Sequence, residues 1–345
     1  MSQGSAGSEV DAWKLEAWMQ DHVAGFSGGV EIKKFPGGQS NPTFLVQTAD
    51  CRYVLRRKPP GKLLPSAHAV DREFRVLKAL EDTDVPVAHA FALCEDPEVI
   101  GSAFYVMEYI EGRIFWDAAL PDAAPIERGP IYMEMVRVLA ALHSVDYNAA
   151  GLASFGKPGA FVERQVALWI RQYRASETEK IDAMERLIEW LPQHIPGYEQ
   201  SSIVHGDFRL DNTIFHPGGP SILAVLDWEL STIGHPLVDF AFFCMRYHLP
   251  SAEFQGLSGL DLRRLSIPTE AECVSAYCRI RGLEPVSLRD WTYYLAFCMF
   301  RLASILQGIL SRALQGNASS ATALAAGRRA RPLAEIGWRL LQESL

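Results

Sequence analysis

Between Asp11 and Val23 the apolar positions Leu15, Trp18, Met19 and Val23, with His22 at the edge of the same face, recur at i, i+3, i+4 spacing, which predicts an amphipathic helix. The period then shortens. Val30–Phe35, Thr43–Thr48 and Arg52–Arg57 are short β-like runs broken by Pro36-Gly37-Gly38 and Ala49-Asp50, the pattern of a small antiparallel meander. Pro59-Pro60-Gly61 stops the third run, and Val70, Phe74, Leu77 and Leu80 mark a helix over Ala69–Leu80. Two further strands are predicted at Ala88–Cys94 and Ala103–Tyr109.

Past Ile110–Gly112 the periodicity turns helical, over Ile131–Leu142, Phe161–Tyr173, Thr178–Leu191, Pro236–Tyr247, Glu270–Arg281 and Leu288–Leu310. One interruption breaks it: Ile203-Val204 and Ile222–Leu226 flank a polar insertion, which predicts a hairpin-like element inside a helical domain. The low-complexity stretch Gly316–Gly327 is expected to be a loop followed by a loose helix start. The reading is an α+β chain of two lobes, residues 1–110 with a small antiparallel sheet and one key helix, and residues 111–345, mostly helical.

A chain of 345 residues with 48% apolar content buries a sizeable core, which excludes disorder as its main character. Its formal charge of −8 offers no field for nucleic acid or anionic lipid, so neither is an expected partner. The six cysteines lie in apolar stretches without metal or C-x-x-C spacing and are expected to be reduced core residues. The polar N-terminus lacks the apolar run of a secretory signal, so the expected location is cytoplasmic. Tyr293–Leu310 is apolar enough to suggest a membrane span, but Arg301 and Gln307 interrupt it and a buried helix fits better.

The polar insertion reads His205-Gly206-Asp207-Phe208-Arg209-Leu210-Asp211-Asn212, and Asp227-Trp228-Glu229 follows the apolar run Ala224–Leu226. An Asp with an Asn five positions later curls in one loop, so that the carboxylate faces a hydroxyl while the amide oxygen faces a metal. A carboxylate on a neighbouring strand end adds a hard oxygen ligand of the kind Mg²⁺ prefers.

His-Gly-Asp-x-x-x-x-Asn followed by Asp-x-Glu resembles the aminoglycoside phosphotransferase and choline kinase group of the protein-kinase-like fold. The resemblance implies ATP and Mg²⁺ as cofactors and a small-molecule hydroxyl as acceptor, with Asp207 taking the acceptor's proton, Asn212 and Asp227 as metal ligands, and Glu229 as a second-metal ligand. Arg56 in Tyr53-Val54-Leu55-Arg56 stands where kinases have the lysine of V-A-I-K, with Glu73 as its helix partner; Arg57 and Lys58 are the alternative phosphate contacts. Pro36–Asn41 occupies the slot of the phosphate-covering loop, with Ser40 offering a hydroxyl, and Glu108 and Ile110 fall at the interlobe hinge that faces the adenine. Asp239 and His143 fit the same pattern as structural braces.

A closer likeness, carried by Gly38-Gln39-Ser40-Asn41-Pro42-Thr43, Leu55–Gly61 and Leu64-Pro65-Ser66-Ala67-His68, is to the subgroup similar to the N-terminal phosphotransferase domain of acyl-CoA dehydrogenase family members. It implies a hydroxyacyl compound as acceptor rather than an antibiotic. Arg328, Arg329 and Arg331 are read as a solvated basic patch, with contact to the phosphates of a CoA ester as the alternative. The competing readings of the whole chain are a catalytically silent nucleotide-binding or scaffold module, motivated by Arg56 and the weak glycine loop, and a protein kinase, for which eleven residues between Asp227 and Asp239 leave little room.

Overall fold

The computed structural model describes residues 10–35, 41–59, 69–316 and 322–344. Helix α1 (Ala12–His22) starts at Asp11, whose carboxylate accepts from the Trp13 and Lys14 amides, and buries Leu15 and Met19. Strands β1 (Glu31–Lys34), β2 (Thr43–Gln47), β3 (Arg52–Arg57), β4 (Ala90–Cys94) and β5 (Phe104–Glu108) form one antiparallel sheet in the order β1-β2-β3-β5-β4. Helix α2 (Val70–Leu80) and the short α3 (Pro97–Ile100) complete this lobe.

Period-two alternation decides which residues face the site. Tyr53 and Leu55 of β3 with Phe104 and Val106 of β5 join the cluster built on α1. Val54, Tyr105 and Met107 belong to the second cluster, with Val76, Leu77 and Leu80 of α2. Arg56 shares the parity of Val54, so it emerges on the α2 side.

The other lobe holds α4 (Pro125–Ser144), α5 (Phe161–Ser176), α6 (Asp182–Trp190), α7 (Pro236–Cys244), α8 (Ser251–Phe254), α9 (Leu262–Leu265), α10 (Glu270–Arg281), α11 (Leu288–Leu314), α12 (Ala323–Arg328) and α13 (Ala330–Ser344). Helix α11 is long and apolar enough to cross a membrane by length and composition, yet 67% of its apolar window is buried inside the protein. It packs against α5, α7, α12 and α13, as a core helix does.

Three expectations need correction. Ile203-Val204 and Ile222–Leu226 do not pair with each other: β6 (Ser202–Val204) pairs with β9 (Thr232–Gly234), and β7 (Thr213–Phe215) pairs with β8 (Ile222–Val225). The missing partners are three-residue strands, too short to show a period of their own. Helix α13 is an addition, its Pro332 tolerated because the first helical turn lacks intrahelical acceptors for its N–H groups. Five cysteines are buried, but Cys51 sits exposed in the turn between β2 and β3; all six are free thiols.

Candidate active site

On β3, Arg56 reaches across to two carboxylates. Its Nε lies 3.2 Å from Glu73 Oε2 on α2, and its Nη2 donates to Asp227 Oδ1 at 3.0 Å. Glu73 is 1% exposed and accepts two hydrogen bonds, from Asn41 Nδ2 (2.6 Å) and the Tyr105 hydroxyl (3.0 Å). Burial pushes the Glu73 carboxyl above its ordinary value although Arg56 pulls it down. Burial opposes the Arg56 charge too, but Tyr105, Glu73 and Asp227 outweigh it and hold the guanidinium above its ordinary value. Arg57 points the other way, its Nη1 donating to the Ile100 carbonyl at 3.4 Å, so of the three basic residues in this run Arg56 lines the interlobe cavity. Asn41 and Tyr105 were not foreseen, because each meets Glu73 across 32 positions of sequence.

The polar insertion hangs from the end of β6. Asp239, 3% exposed near the start of α7, accepts from the backbone N–H of His205 at 2.6 Å and of Gly206 at 2.8 Å, so one carboxylate fixes the loop's entry. Behind it, His143 Nε2 lies 3.2 Å from Asp239 Oδ2 and His143 Nδ1 lies 2.7 Å from the Tyr277 hydroxyl. Burial alone would raise the Asp239 carboxyl; His143 reverses that and holds it below its ordinary value. Both braces thus stand where the sequence put them. Gly206 has φ +84°, and a Cβ there would sit 2.9 Å from the Leu230 carbonyl oxygen, so two constraints exclude a side chain.

Beyond the glycine, Asp207 Oδ2 accepts from Arg209 Nε (3.2 Å) and Asn212 Nδ2 (3.1 Å), and burial pushes its carboxyl above the ordinary value. The Asn212 amide nitrogen also donates to the Asp207 carbonyl (2.9 Å), which leaves its Oδ1 as the free acceptor end. The Asn212 carbonyl accepts from Leu226 N–H at 2.8 Å, and His205 Nε2 lies 2.8 Å from the Leu226 carbonyl. Leu226 is therefore pinned from both sides immediately before Asp227. Asp227 itself adopts the left-handed conformation (φ 64°, ψ 62°), which Asp tolerates better than most residues, and its side chain is 35% exposed.

Between the lobes lies a cavity of about 420 Å³. Val54, Ala88, Met107, Ile214 and Val225 form its apolar walls, Glu108 and Ile110 line it along the lobe crossing, and Arg56 and Asp227 line its polar side. An apolar slot with a few convergent polar groups is the form of a small-molecule site. Gly112 permits the crossing: a Cβ there would meet the Phe215 carbonyl oxygen at 2.3 Å, and Arg113 and Phe215 exchange two backbone hydrogen bonds of 2.8 Å beside it. Of the remaining candidates, Ser40 lies outside the described residues. Glu229 is half-buried on the turn after Asp227; among the described residues no three His, Cys, Asp or Glu side chains form a metal-holding group. Asn212 Oδ1 and the Asp227 carboxylate are oxygen donors of the kind a hard cation takes. Arg329 and Arg331 are engaged by the protein itself, through the Glu253 carbonyl (2.9 Å) and Glu179 (2.6 Å).

Residues 31–266 match the model of the phosphotransferase enzyme family. The chain belongs to that family. This phosphotransferase is 52% identical to a Ralstonia eutropha protein of known structure named as a candidate aminoglycoside phosphotransferase, with a TM-score of 0.90 over 97% of this chain and 99% of that one. The choline kinase of Cryptosporidium parvum Iowa II, at 13% identity, a TM-score of 0.66 and 97% coverage of both chains, shows the shared fold. So does the aminoglycoside phosphotransferase APH(4)-Ia in its ternary complex with AMP-PNP and hygromycin B, at 15% identity and a TM-score of 0.60 over 95% of this chain and 98% of that one. The phosphotransferase thus has the bilobal kinase-like α+β fold. Among curated proteins it is 50% identical over 90% of its length to acyl-CoA dehydrogenase family member 10 of Mus musculus, and 43% identical over 96% of its length to member 11 of Homo sapiens. It spans only 29% and 43% of those two proteins.

Proposed function

We propose that this phosphotransferase moves the γ-phosphoryl group of ATP, with Mg²⁺, to a hydroxyl of a small molecule. The observation that carries the reading is the Glu73–Arg56–Asp227 chain on the polar side of an apolar cavity, with Asp207 and Asn212 tied to the same strand end through Leu226. In this reading the apolar walls take the adenine, and Glu108 and Ile110 flank it. Arg56, steadied by Glu73, meets the nucleotide phosphates. Asp207 orients the acceptor hydroxyl and takes its proton, a role that the raised affinity of its carboxylate for protons suits. Mg²⁺, when bound, neutralises charge on the β- and γ-phosphates, and Asn212 Oδ1 and Asp227 are the residues that would hold it. The relatives' names associate the domain with acyl-CoA dehydrogenases, which supports a hydroxyacyl compound as the acceptor class.

The resting contact of Arg56 with Asp227 favours a second reading, a silent nucleotide-binding module in which that pair never opens. The test is transfer of γ-labelled phosphate from ATP with Mg²⁺ to pooled hydroxyacids, hydroxyacyl-CoA esters, amino alcohols, sugars and aminoglycosides. Label entering one pool and falling by about 10²–10⁴ in Asp207→Asn establishes the kinase. ATP binding with no transfer and no slow hydrolysis establishes the silent module. An Asp227→Ala protein that folds and keeps full turnover overturns the kinase assignment.

A further inference from the structure

Beside Arg209, Leu210 and Asp211 of the Asp207 loop lies a second, small depression. Its lining includes Trp116, Tyr132, Arg209, Asp211, Arg246 and Gln255. Two of these are guanidinium groups on different elements, Arg209 in the loop and Arg246 in the turn after α7. Arg209 divides itself between two carboxylates, Asp207 (3.2 Å) and Asp211 (3.1 Å). Among the described residues no carboxylate lies within ion-pair distance of Arg246, whose guanidinium donates through Nη1 to the Phe254 carbonyl at 2.7 Å. Burial and the neighbouring charge of Arg209 lower the affinity of Arg246 for its proton, and Asp211 and Asp207 offset this only in part. Arg246 is half-buried, and the two carboxylates that act on it, Asp211 and Asp207, are both already engaged by Arg209, so its charge is only partly neutralised.

The charges around the loop point the same way. Once Asp207 is committed to an acceptor hydroxyl, Asp211 alone faces two guanidiniums, and the Arg209 contact that blocks Asp207 in the resting protein has to be drawn off. An anion between Arg209 and Arg246 does both. Over the same depression the Trp116 ring is 70% exposed, an apolar plate against which a ligand body can lie.

We propose that Arg209 and Arg246 form an anion subsite beside Asp207, and that the acceptor carries a carboxylate or phosphate group held there. The proposal rests on the phosphotransferase reading of the Asp207 loop. Forked guanidiniums suit both anions, because each presents two oxygens at the spacing of paired N–H groups.

The test is a calorimetric titration of the full chain, saturated with ADP and Mg²⁺ so that the nucleotide site is filled, with inorganic phosphate and separately with acetate at constant ionic strength. One anion is expected to bind saturably to the native protein, at least tenfold more weakly to Arg246→Gln, and with intermediate affinity to Arg246→Lys, which keeps the charge but not the fork. Phosphate alone binding identifies a phosphorylated acceptor; acetate alone identifies a hydroxy acid. Neither anion binding, or equal binding to the native and Gln proteins, overturns the subsite. ADP affinity, read in the same experiment, reports folding. Should the Gln variant not fold, an unchanged affinity in the Lys variant overturns the proposal. A native protein that binds the anion but not ADP upholds the subsite and sinks the kinase reading instead.

Discussion

Asp207 lies under two opposed influences: burial raises its proton affinity, and the Arg209 guanidinium at 3.2 Å lowers it. Removing Arg209 takes away the largest of the influences that oppose burial. The acid limb of the pH–kcat profile is therefore expected to move to higher pH in Arg209→Gln, and a limb that stays in place or moves down contradicts the role of Asp207 as the base. His143 gives a stability test with the opposite geometry, since burial holds its imidazole below the ordinary histidine value. The unfolded chain protonates it from about pH 6.5 downward while the folded protein resists, so the native state loses stability on acidification. The Tm advantage of the native protein over His143→Gln should therefore shrink between pH 7.5 and pH 5.5; an advantage that is constant or grows refutes this. At this scale the sequence was informative where partners sit close in the chain, as with Asp207 and Asn212, which meet at 3.1 Å. It was silent on Asn41 and Tyr105, which act on Glu73 from 32 positions away in either direction. Strand parity would have chosen Arg56 over Arg57, since one of two adjacent residues must face away.

Elements with a sustained period were legible, and those without one were not. Helices α2, α5 and α10 and the five-stranded sheet stand within a few residues of their predicted positions. The pairing of β6 and β8 failed because their true partners are three residues long, and strand pairing is a long-range property that local pattern does not encode. Helix α13 does carry a signal, Leu333, Ile336, Leu340 and Leu341, masked by the alanine-rich stretch before it. Helix α11 shows how an interruption becomes a function. Arg301, which argues against a membrane span, lies between the rings of Trp169 (5.8 Å) and Phe242 (5.7 Å) and donates to the Gly206 carbonyl at 3.1 Å. In Arg301→Met the stem packing survives while the donor to the Asp207 loop is lost. That variant is expected to keep its Tm within a few degrees and to lose about tenfold in kcat, the scale of a charged hydrogen bond. A large Tm drop with kcat intact assigns Arg301 to packing alone.

Across the whole molecule, side chains of α2 and the strand ends tie the two lobes together. Arg72 of α2 stacks 4.1 Å from the Phe155 ring centroid and donates to the Phe155 carbonyl at 2.7 Å, and Arg75 donates to the Gly151 carbonyl (2.8 Å) and Ser154 Oγ (2.9 Å). Val225 N–H reaches the Pro86 carbonyl at 2.9 Å, and Arg56 spans to Asp227. Helix α2, and Glu73 with it, is thus fastened to the opposite lobe through side chains that touch neither the cavity nor the Asp207 loop. If these ties preset the binding-competent arrangement, cutting them lowers the competent fraction, and apparent nucleotide affinity falls by that same fraction. Two charge-assisted hydrogen bonds of about 1.5–3 kcal/mol each are enough to move that equilibrium tenfold or more. The Arg72→Ala, Arg75→Ala double variant is therefore expected to raise the KM for ATP about tenfold with kcat nearly unchanged at saturation. Its residues 70–80 should exchange amide hydrogens faster than in the native protein, and ADP with Mg²⁺ should restore their protection. In the native protein the same segment should change little on adding ADP. An unaltered KM together with unaltered exchange shows that α2 is held by its apolar face alone, and equal losses in kcat and kcat/KM place the two arginines in the chemical step instead.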